Sequence, residues 1–481
     1  MPDFDCVIIG SGIGGLVAGG RLASKGYKVL ILEQNPVPGG YLQSFRRRSI
    51  TFDSCVDCFS GLDANGPVSI VLSSLGVEKT LKPIRLDPIR TSIFPGLTIH
   101  VHADIERYIS ELKSLFPSES AGIDSLFRIF NAVYSEIKGW GDFIAGLLPH
   151  ERIPVNIVEL SRLTYGELLD TCIKDTRLKA VLSDRCPFYG VPPTRVGSVA
   201  MIALIMSYFS SGAWRIKGGS QRLAEAISSG IKSRGSEVIF KKKAERIIVE
   251  NGKAIGVATS DGDEFTSKTV ISNIDFYKTF EMLSTKADQP RALAQKVTGA
   301  SSSFFILYAG VKMDLSHLER SSSIGYYPTF DMDYNFTEEA CFNTAGSIGI
   351  TIPSLIDPDM APDGIHSVTA HEMSSFSFKN DWKASKGELT DKILKKADLI
   401  IPGICRSAAH VEVATPATLE RYTANTGGAA YGWTQSPGLR PLNTFIDGLY
   451  LAGHWEGTGG GVVAAAYSGH KAAGRVEKKL G

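Results

Sequence analysis

The pattern Gly10-x-Gly12-x-x-Gly15 constrains this chain more than any other stretch, because of what stands on either side of it. Cys6 to Ile9 is a continuous apolar run, as expected of a parallel strand buried on both faces. Leu16 to Lys25 is rich in Ala, Leu and Gly and reads as a helix stopping at Gly26. Lys28 to Leu32 reads as a second strand, so the opening is a βαβ unit. Gly10 permits the tight turn, Gly12 lets the backbone approach a pyrophosphate, and Gly15 lets the helix pack closely on the strand. The helix N-terminus then presents N–H groups and a partial positive charge to phosphates. Gly10, Ser11, Gly12, Ile13, Gly14 and Gly15 form the candidate cradle. Glu33 ends the second strand, followed by Gln34, where an acid can hydrogen-bond a ribose 2′-hydroxyl. Its charge would repel a 2′-phosphate, which disfavours NADP and leaves NAD and FAD.

Two further glycine groups favour FAD. Gly39-Gly40, leading into Tyr41 and Leu42, lets the chain pass close to a cofactor. Near the other end, Gly448 to Gly453 is followed by Gly457-Thr-Gly-Gly-Gly461, which opens a helix at Val462. N–H groups of that helix, aimed at a flavin, would stabilise its anionic reduced form. The 49 glycines in 481 residues exceed the ~7% of ordinary proteins, and these loops hold part of the excess.

Composition narrows the rest. Fifty-one Lys and Arg against 50 Asp and Glu give a net charge of +1, so nothing points to nucleic acid. Seven cysteines do not suggest a disulfide framework, and the N-terminus lacks the basic start of a secretory signal. The expected compartment is the cytoplasm, with association to a membrane surface left open. The longest apolar run, around Val199 to Met206, is too short to span a bilayer. Residues 120–185 carry apolar residues at helical spacing (Leu126, Phe130, Val133, Ile137 and Trp140), and Gln221 to Ser233 reads as an amphipathic helix. Short strands follow, separated by the hairpin signals Asn251-Gly252 and Asp261-Gly262. Residues 300–375 are strand-rich and suit a second, antiparallel sheet.

With these motifs in view, the chain resembles the phytoene desaturase, carotenoid isomerase and retinol saturase superfamily of FAD-dependent oxidoreductases, within the amine-oxidase-like flavoproteins. The matching stretches are DCVIIGSGIGGLVAGGRLASKGYKVLILEQN, PGGYLQSF with Phe52-Asp53, KGGSQRLAEAI, Ile271 to Asp275, SLIDPDMAPDG, TPATLERYT with GGAAYGW, and GLYLAGHWEGTGGGV. The resemblance implies an α/β fold: a Rossmann-like FAD-binding domain with a parallel sheet and helices, plus a substrate domain with an antiparallel sheet and a helical cap. The expected division is 1–80, 215–285 and 436–481 for the FAD domain, 81–214 for the helical cap and 286–435 for the antiparallel sheet. FAD would lie with its pyrophosphate on Gly10 to Gly15 and its ribose on Glu33. Gly39 to Leu42 would line the ribityl and flavin region, and the backbone at Ala244 would meet the adenine. Gly453, His454 and Gly460 to Val463 would close over the phosphate, ribityl and ring. Tyr41 stands where the family often has Arg, and His454 where it often has Asp.

The proton chemistry is less constrained. Asp57, His454 and Glu456 are the candidate catalytic residues: Asp57 as a carboxyl in a dry pocket or a turn aspartate, His454 as a proton shuttle or a packed histidine, Glu456 as their neighbour in the glycine loop. Tyr431 and Trp433 could wall a flat polyene or pack a core. Cys55-x-x-Cys58 has redox-pair spacing without a thioredoxin context. His100 and His102 share a strand face with no evident carboxylate partner, so no metal is expected. The substrate expected is a lipophilic isoprenoid or polyene; Phe127, Phe130, Trp140, Phe143, Leu147, Leu148 and the 199–209 helix would either form the mouth it enters by or pack an ordinary buried helical cap. The leading activity is desaturation or saturation of a carbon–carbon bond by hydride transfer at flavin N5, with oxygen or a quinone as acceptor in a desaturase. The alternative is cis–trans isomerisation without net redox change.

Overall fold

The computed structural model describes residues 2–63, 66–144, 154–284, 299–318, 322–379, 381–438 and 444–481. Leu147 and Leu148 lie outside them, and of Trp140 and Phe143 only the helical backbone is described.

Two seven-stranded sheets organise the chain. In the first, Phe4–Ile9 lies between Val29–Leu32 and Glu264–Ser272, with Glu237–Ile239 beyond Val29–Leu32, all parallel. Leu449–Leu451 pairs in parallel with the last residues of Glu264–Ser272. The first residues of that same strand continue an antiparallel meander through Lys253–Thr259 and Ala244–Glu250, turned at the expected Asn-Gly and Asp-Gly pairs. Burial follows from pairing: Phe4–Ile9 and Val29–Leu32 are covered on one face by the first and last helices, and their apolar runs leave the other for a second core. Helix Ile13–Ser24 crosses Val462–Leu480 so closely that a Cβ on Gly469 would stand 2.0 Å from the Gly14 carbonyl oxygen.

The register aligns four strand ends. Ile9 pairs with Leu32 and Ser272, and Ser272 with Leu451. Gly10, Glu33, Asn273 and Gly453 therefore emerge together at one carboxyl edge of the sheet, where open α/β sheets form their crevice.

The second sheet differs from the expectation in one respect. It draws Arg90–Phe94 and Leu97–Val101 from the 81–214 stretch, and Ile324 pairs in parallel with Thr91 while the other ladders are antiparallel. Against it stand the helices expected over 120–185 and 199–209, observed as Ser120–Ile144, Val155–Leu160, Tyr165–Cys172, Thr176–Leu182 and Ser198–Ser211. Phe127 and Phe130 are buried in the core of this helical layer. Among the described residues no helix is long and apolar enough to cross a membrane.

Candidate active site

A cavity of about 830 Å³ runs from the carboxyl edge of the first sheet to the face of the second. Its sheet-edge portion is lined by Gly10, Gly12, Ile13, Gly14, Glu33 and Gln34, then by residues 39–42. Ala244, with Lys243 and Glu245, closes its outer end. Gly453, His454 and residues 460–463 line the opposite wall. Asn273, Ile274, Lys278 and Met282, not among the residues expected from the sequence, border the same portion. Their signal was the Ile271 to Asp275 stretch, where Asn273 follows a strand end as Gly10 does.

Two expected cradle residues stand behind the wall. A Cβ on Gly15 would lie 2.2 Å from the Gly10 carbonyl oxygen, so its role is the tight turn itself. Ser11 is fully buried, and its N–H and hydroxyl both donate to Glu33 Oε2 (2.9 and 2.6 Å), while Asn35 N–H donates to Oε1 (2.8 Å). A carboxylate has roughly four lone-pair sites. Three are used, so Glu33 pins the loop and keeps accepting capacity toward the cavity.

The cradle fits a dinucleotide. Helix Ile13–Ser24 starts from Gly12 and Val462–Leu480 from Gly461, both without a side-chain cap and without an acidic residue in the first turn. Two uncapped N-termini facing one cavity offer N–H donors and positive partial charge to phosphates. A Cβ on Gly14 would meet Gly453 N at 2.7 Å, so these loops close on one another only because residue 14 is a glycine, and Gly40 holds a φ of +57°, which side chains rarely adopt.

The three candidate catalytic residues separate. His454 lines the cavity, and burial pushes its pKa down to about 4, so it is neutral at physiological pH. Trp455 Nε1, a donor only, binds Asn425 Oδ1 at 2.7 Å, which makes that oxygen the acceptor for His454 Nε2–H at 3.2 Å. Glu456 faces away from the cavity lining: it pairs with Lys471 at 2.6 Å, both nearly buried, and accepts from Thr458 N–H and hydroxyl at 3.1 and 2.8 Å. It fixes the glycine loop onto the last helix. Asp57 lines the far portion but is no isolated carboxyl. Its Oδ1 is 3.2 Å from Arg215 Nη1, and Ser323 Oγ donates to its Oδ2 at 2.5 Å. Arg215 Nη2 also holds Asp53 at 2.9 Å.

Other sequence readings resolve similarly. Tyr431 lines the cavity, edge-on to Tyr189 and Phe304 at 6.0 Å, whereas Trp433 packs in the core against Phe276 and Trp455. Cys55 and Cys58 are free thiols on the cavity wall, each pushed up to about 12 by burial, hence protonated and poorly nucleophilic. His102 does have carboxylate neighbours, Asp87 at 3.4 Å and Glu111 at 3.5 Å, a correction to the sequence reading; they come from a loop and a helix that the strand pattern does not place. Among the described residues no group of three such side chains could hold a metal.

Comparison with known proteins decides the family. The model of the flavin containing amine oxidoreductases matches residues 13–477. The chain belongs to that family. It is 30% identical to a prolycopene isomerase of Daucus carota, over 100% of this chain and 81% of the relative. It is 27% identical to an all-trans-retinol 13,14-reductase of Danio rerio (89% and 77%) and 26% identical to a neurosporene-forming phytoene desaturase of Rhodobacter capsulatus (96% and 92%). The protein is thus a FAD-dependent oxidoreductase of α/β fold, and its cofactor is FAD.

Proposed function

We propose that this flavoenzyme acts on carbon–carbon bonds of a lipophilic isoprenoid or polyene, by desaturation or saturation. The observation that carries the proposal is the continuity of the cavity. Beyond the residues assigned here to FAD (Gly10, Gly12, Ile13, Gly14, Glu33, Gly39 to Leu42, Ala244, Gly453, His454 and Gly460 to Val463), it extends between apolar walls, Val199, Ala200, Ala203, Leu204 and Phe188 on one side, Phe304 and Ile306 on the other. Such walls suit an extended hydrocarbon chain. Bound FAD supplies hydride acceptance or donation at N5. The protein's own residues orient the chain and exclude water, and Tyr189 and Tyr431 hold flat faces and edges against it. The reading is supported by relatives named for prolycopene, retinol and phytoene.

Polyene cis–trans isomerisation is the second reading, favoured by the prolycopene isomerase identity over the whole chain. A neutral His454 and protonated thiols leave no strong acid at neutral pH among these cavity groups. Val155 and Val158, exposed on helix Val155–Leu160 close to helix Ser198–Ser211, are the surface we assign to membrane contact for substrate entry. Oxygen or a quinone would take the electrons in the desaturase direction.

Anaerobic spectra separate the readings. Bleaching of the flavin by a saturated isoprenoid is the result expected of a desaturase, and reoxidation of the dithionite-reduced protein by a polyene that of a saturase. A changed polyene spectrum with the flavin still reduced identifies the isomerase. Absence of all three with hydrocarbon and oxygenated polyenes, while an amine bleaches the flavin, would overturn the proposal.

A further inference from the structure

The end of the cavity on the second sheet is polar, which a pure hydrocarbon does not require. Strand His366–Ser374 sends Thr369 and His371 to the cavity, and strand Ile348–Thr351 sends Thr351. Thr351 pairs with Thr369, and Gly349 with His371, so these residues share one sheet face. Asp57 stands beside them, held by Arg215 and Ser323.

The sheet is cleared to make this site. A Cβ on Gly349 would lie 2.3 Å from His371 Nε2, and one on Gly325 only 2.1 Å from Arg90 Nη2. Gly325 and Gly349 are register partners, so two neighbouring strands lack side chains where an imidazole and a guanidinium lie across them. Phe304 packs edge-on against the His371 ring at 5.6 Å and fixes its plane. Within the described residues, neither the His371 ring nor the hydroxyls of Thr351 and Thr369 has a hydrogen-bonding partner, although buried polar groups ordinarily have one. The acceptor and donor capacity of these groups is directed at the cavity.

We infer that this end recognises an uncharged hydrogen-bonding end group, a hydroxyl or carbonyl, on the polyene, with His371 as the specificity-determining residue. The inference rests on the polyene reading above. The local charges decide against a carboxylate: Arg215 is shared by Asp53 and Asp57, Arg90 faces Asp184 as well as Asp57, and an added anion would face Asp57. Burial, partly opposed by Asp57, pushes His371 down to about 4, so at neutral pH its ring has one N–H and one lone pair. A hydroxyl can use both kinds of partner.

The test is a fluorescence-quenching titration of the FAD-loaded protein with retinol, deoxyretinol and retinoic acid, which differ only at the terminus. Retinol is expected to bind about tenfold more tightly than deoxyretinol, the size of one well-made hydrogen bond. The acid is expected to gain nothing over the hydrocarbon. His371→Leu brings the alcohol-to-hydrocarbon ratio to about one, His371→Asn retains part of it, and Thr369→Val lowers it in a protein whose imidazole is intact. Equal affinities in the wild type, tightest binding by the acid, or a ratio surviving His371→Leu would overturn the inference while leaving the polyene reading in place. A FAD-loaded protein that binds none of the three contradicts the polyene reading, and the inference falls with it.

Discussion

Gly14→Ala is expected to strip the protein of its flavin. The added methyl would meet Asn273 Oδ1 at 2.5 Å, Gly453 N at 2.7 Å and the Ala465 carbonyl oxygen at 2.9 Å. Two of those three atoms are backbone, so no rotamer change relieves the clash. The first and last helices must separate, and with them the two N-termini that face the cofactor. Overpacking of this kind costs about 1–3 kcal/mol in the apoprotein. Loss of FAD removes further stabilisation, because a ligand that binds only the folded state shifts unfolding by mass action. Flavin absorbance per chain should fall by at least about tenfold, and added FAD should no longer raise Tm. A Gly14→Ala protein with a wild-type flavin content would show that these helices do not converge on the cofactor.

Arg215→Met is expected to destabilise the fold by about 3–5 kcal/mol, the range for removing one partner of a buried ion pair. The guanidinium is 6% exposed and its carboxylates 9% and 15%, so water cannot take its place. Nη1 also donates to the Asp57 carbonyl oxygen, which ties the 53–58 segment to strand Trp214–Ile216. Asp53 keeps its bonds from Ser44 Oγ (2.6 Å), Ser220 N–H and Ser220 Oγ (both 2.8 Å), but those neutral donors leave its charge unmatched. The check is urea unfolding of the FAD-loaded protein. Adding Asp57→Asn to Arg215→Met should restore part of the loss, because it removes one of the two stranded charges. A loss under about 1 kcal/mol, or no recovery in the double variant, would mean the pair is hydrated and carries little of the architecture.

The sequence disclosed what depends on neighbours along the chain. Gly10 to Gly15, the apolar runs around them and Glu33 form one local pattern, and the register that sets Ile9 level with Leu32 follows from it. The Asn-Gly and Asp-Gly turns announced the meander for the same reason. What stayed hidden depends on distant partners. Arg215 lies 158 residues from Asp57 and 162 from Asp53, and no pattern joins them. Glu456 looked chemical because it stands in a glycine loop, yet its meaning comes from Lys471 on the last helix. His371 was invisible because a half-buried alternating strand resembles any other. Only pairing shows that Gly349 is the residue its ring covers. That Arg90–Phe94 and Leu97–Val101 belong to the second sheet was not legible, because the helical segments separate them in the chain from their neighbours in space.

The central claim is that one cavity holds FAD at the edge of the first sheet and a polyene beside it. It is tested most directly by the visible spectrum of the purified, FAD-reconstituted protein, recorded anaerobically while a polyene is added. The account predicts flavin bands near ~375 and ~450 nm at about one flavin per chain, and a change on polyene addition in the flavin bands, in the polyene absorption, or in both. A colourless protein that takes up no FAD, or a flavoprotein whose spectrum ignores every polyene offered, would contradict it.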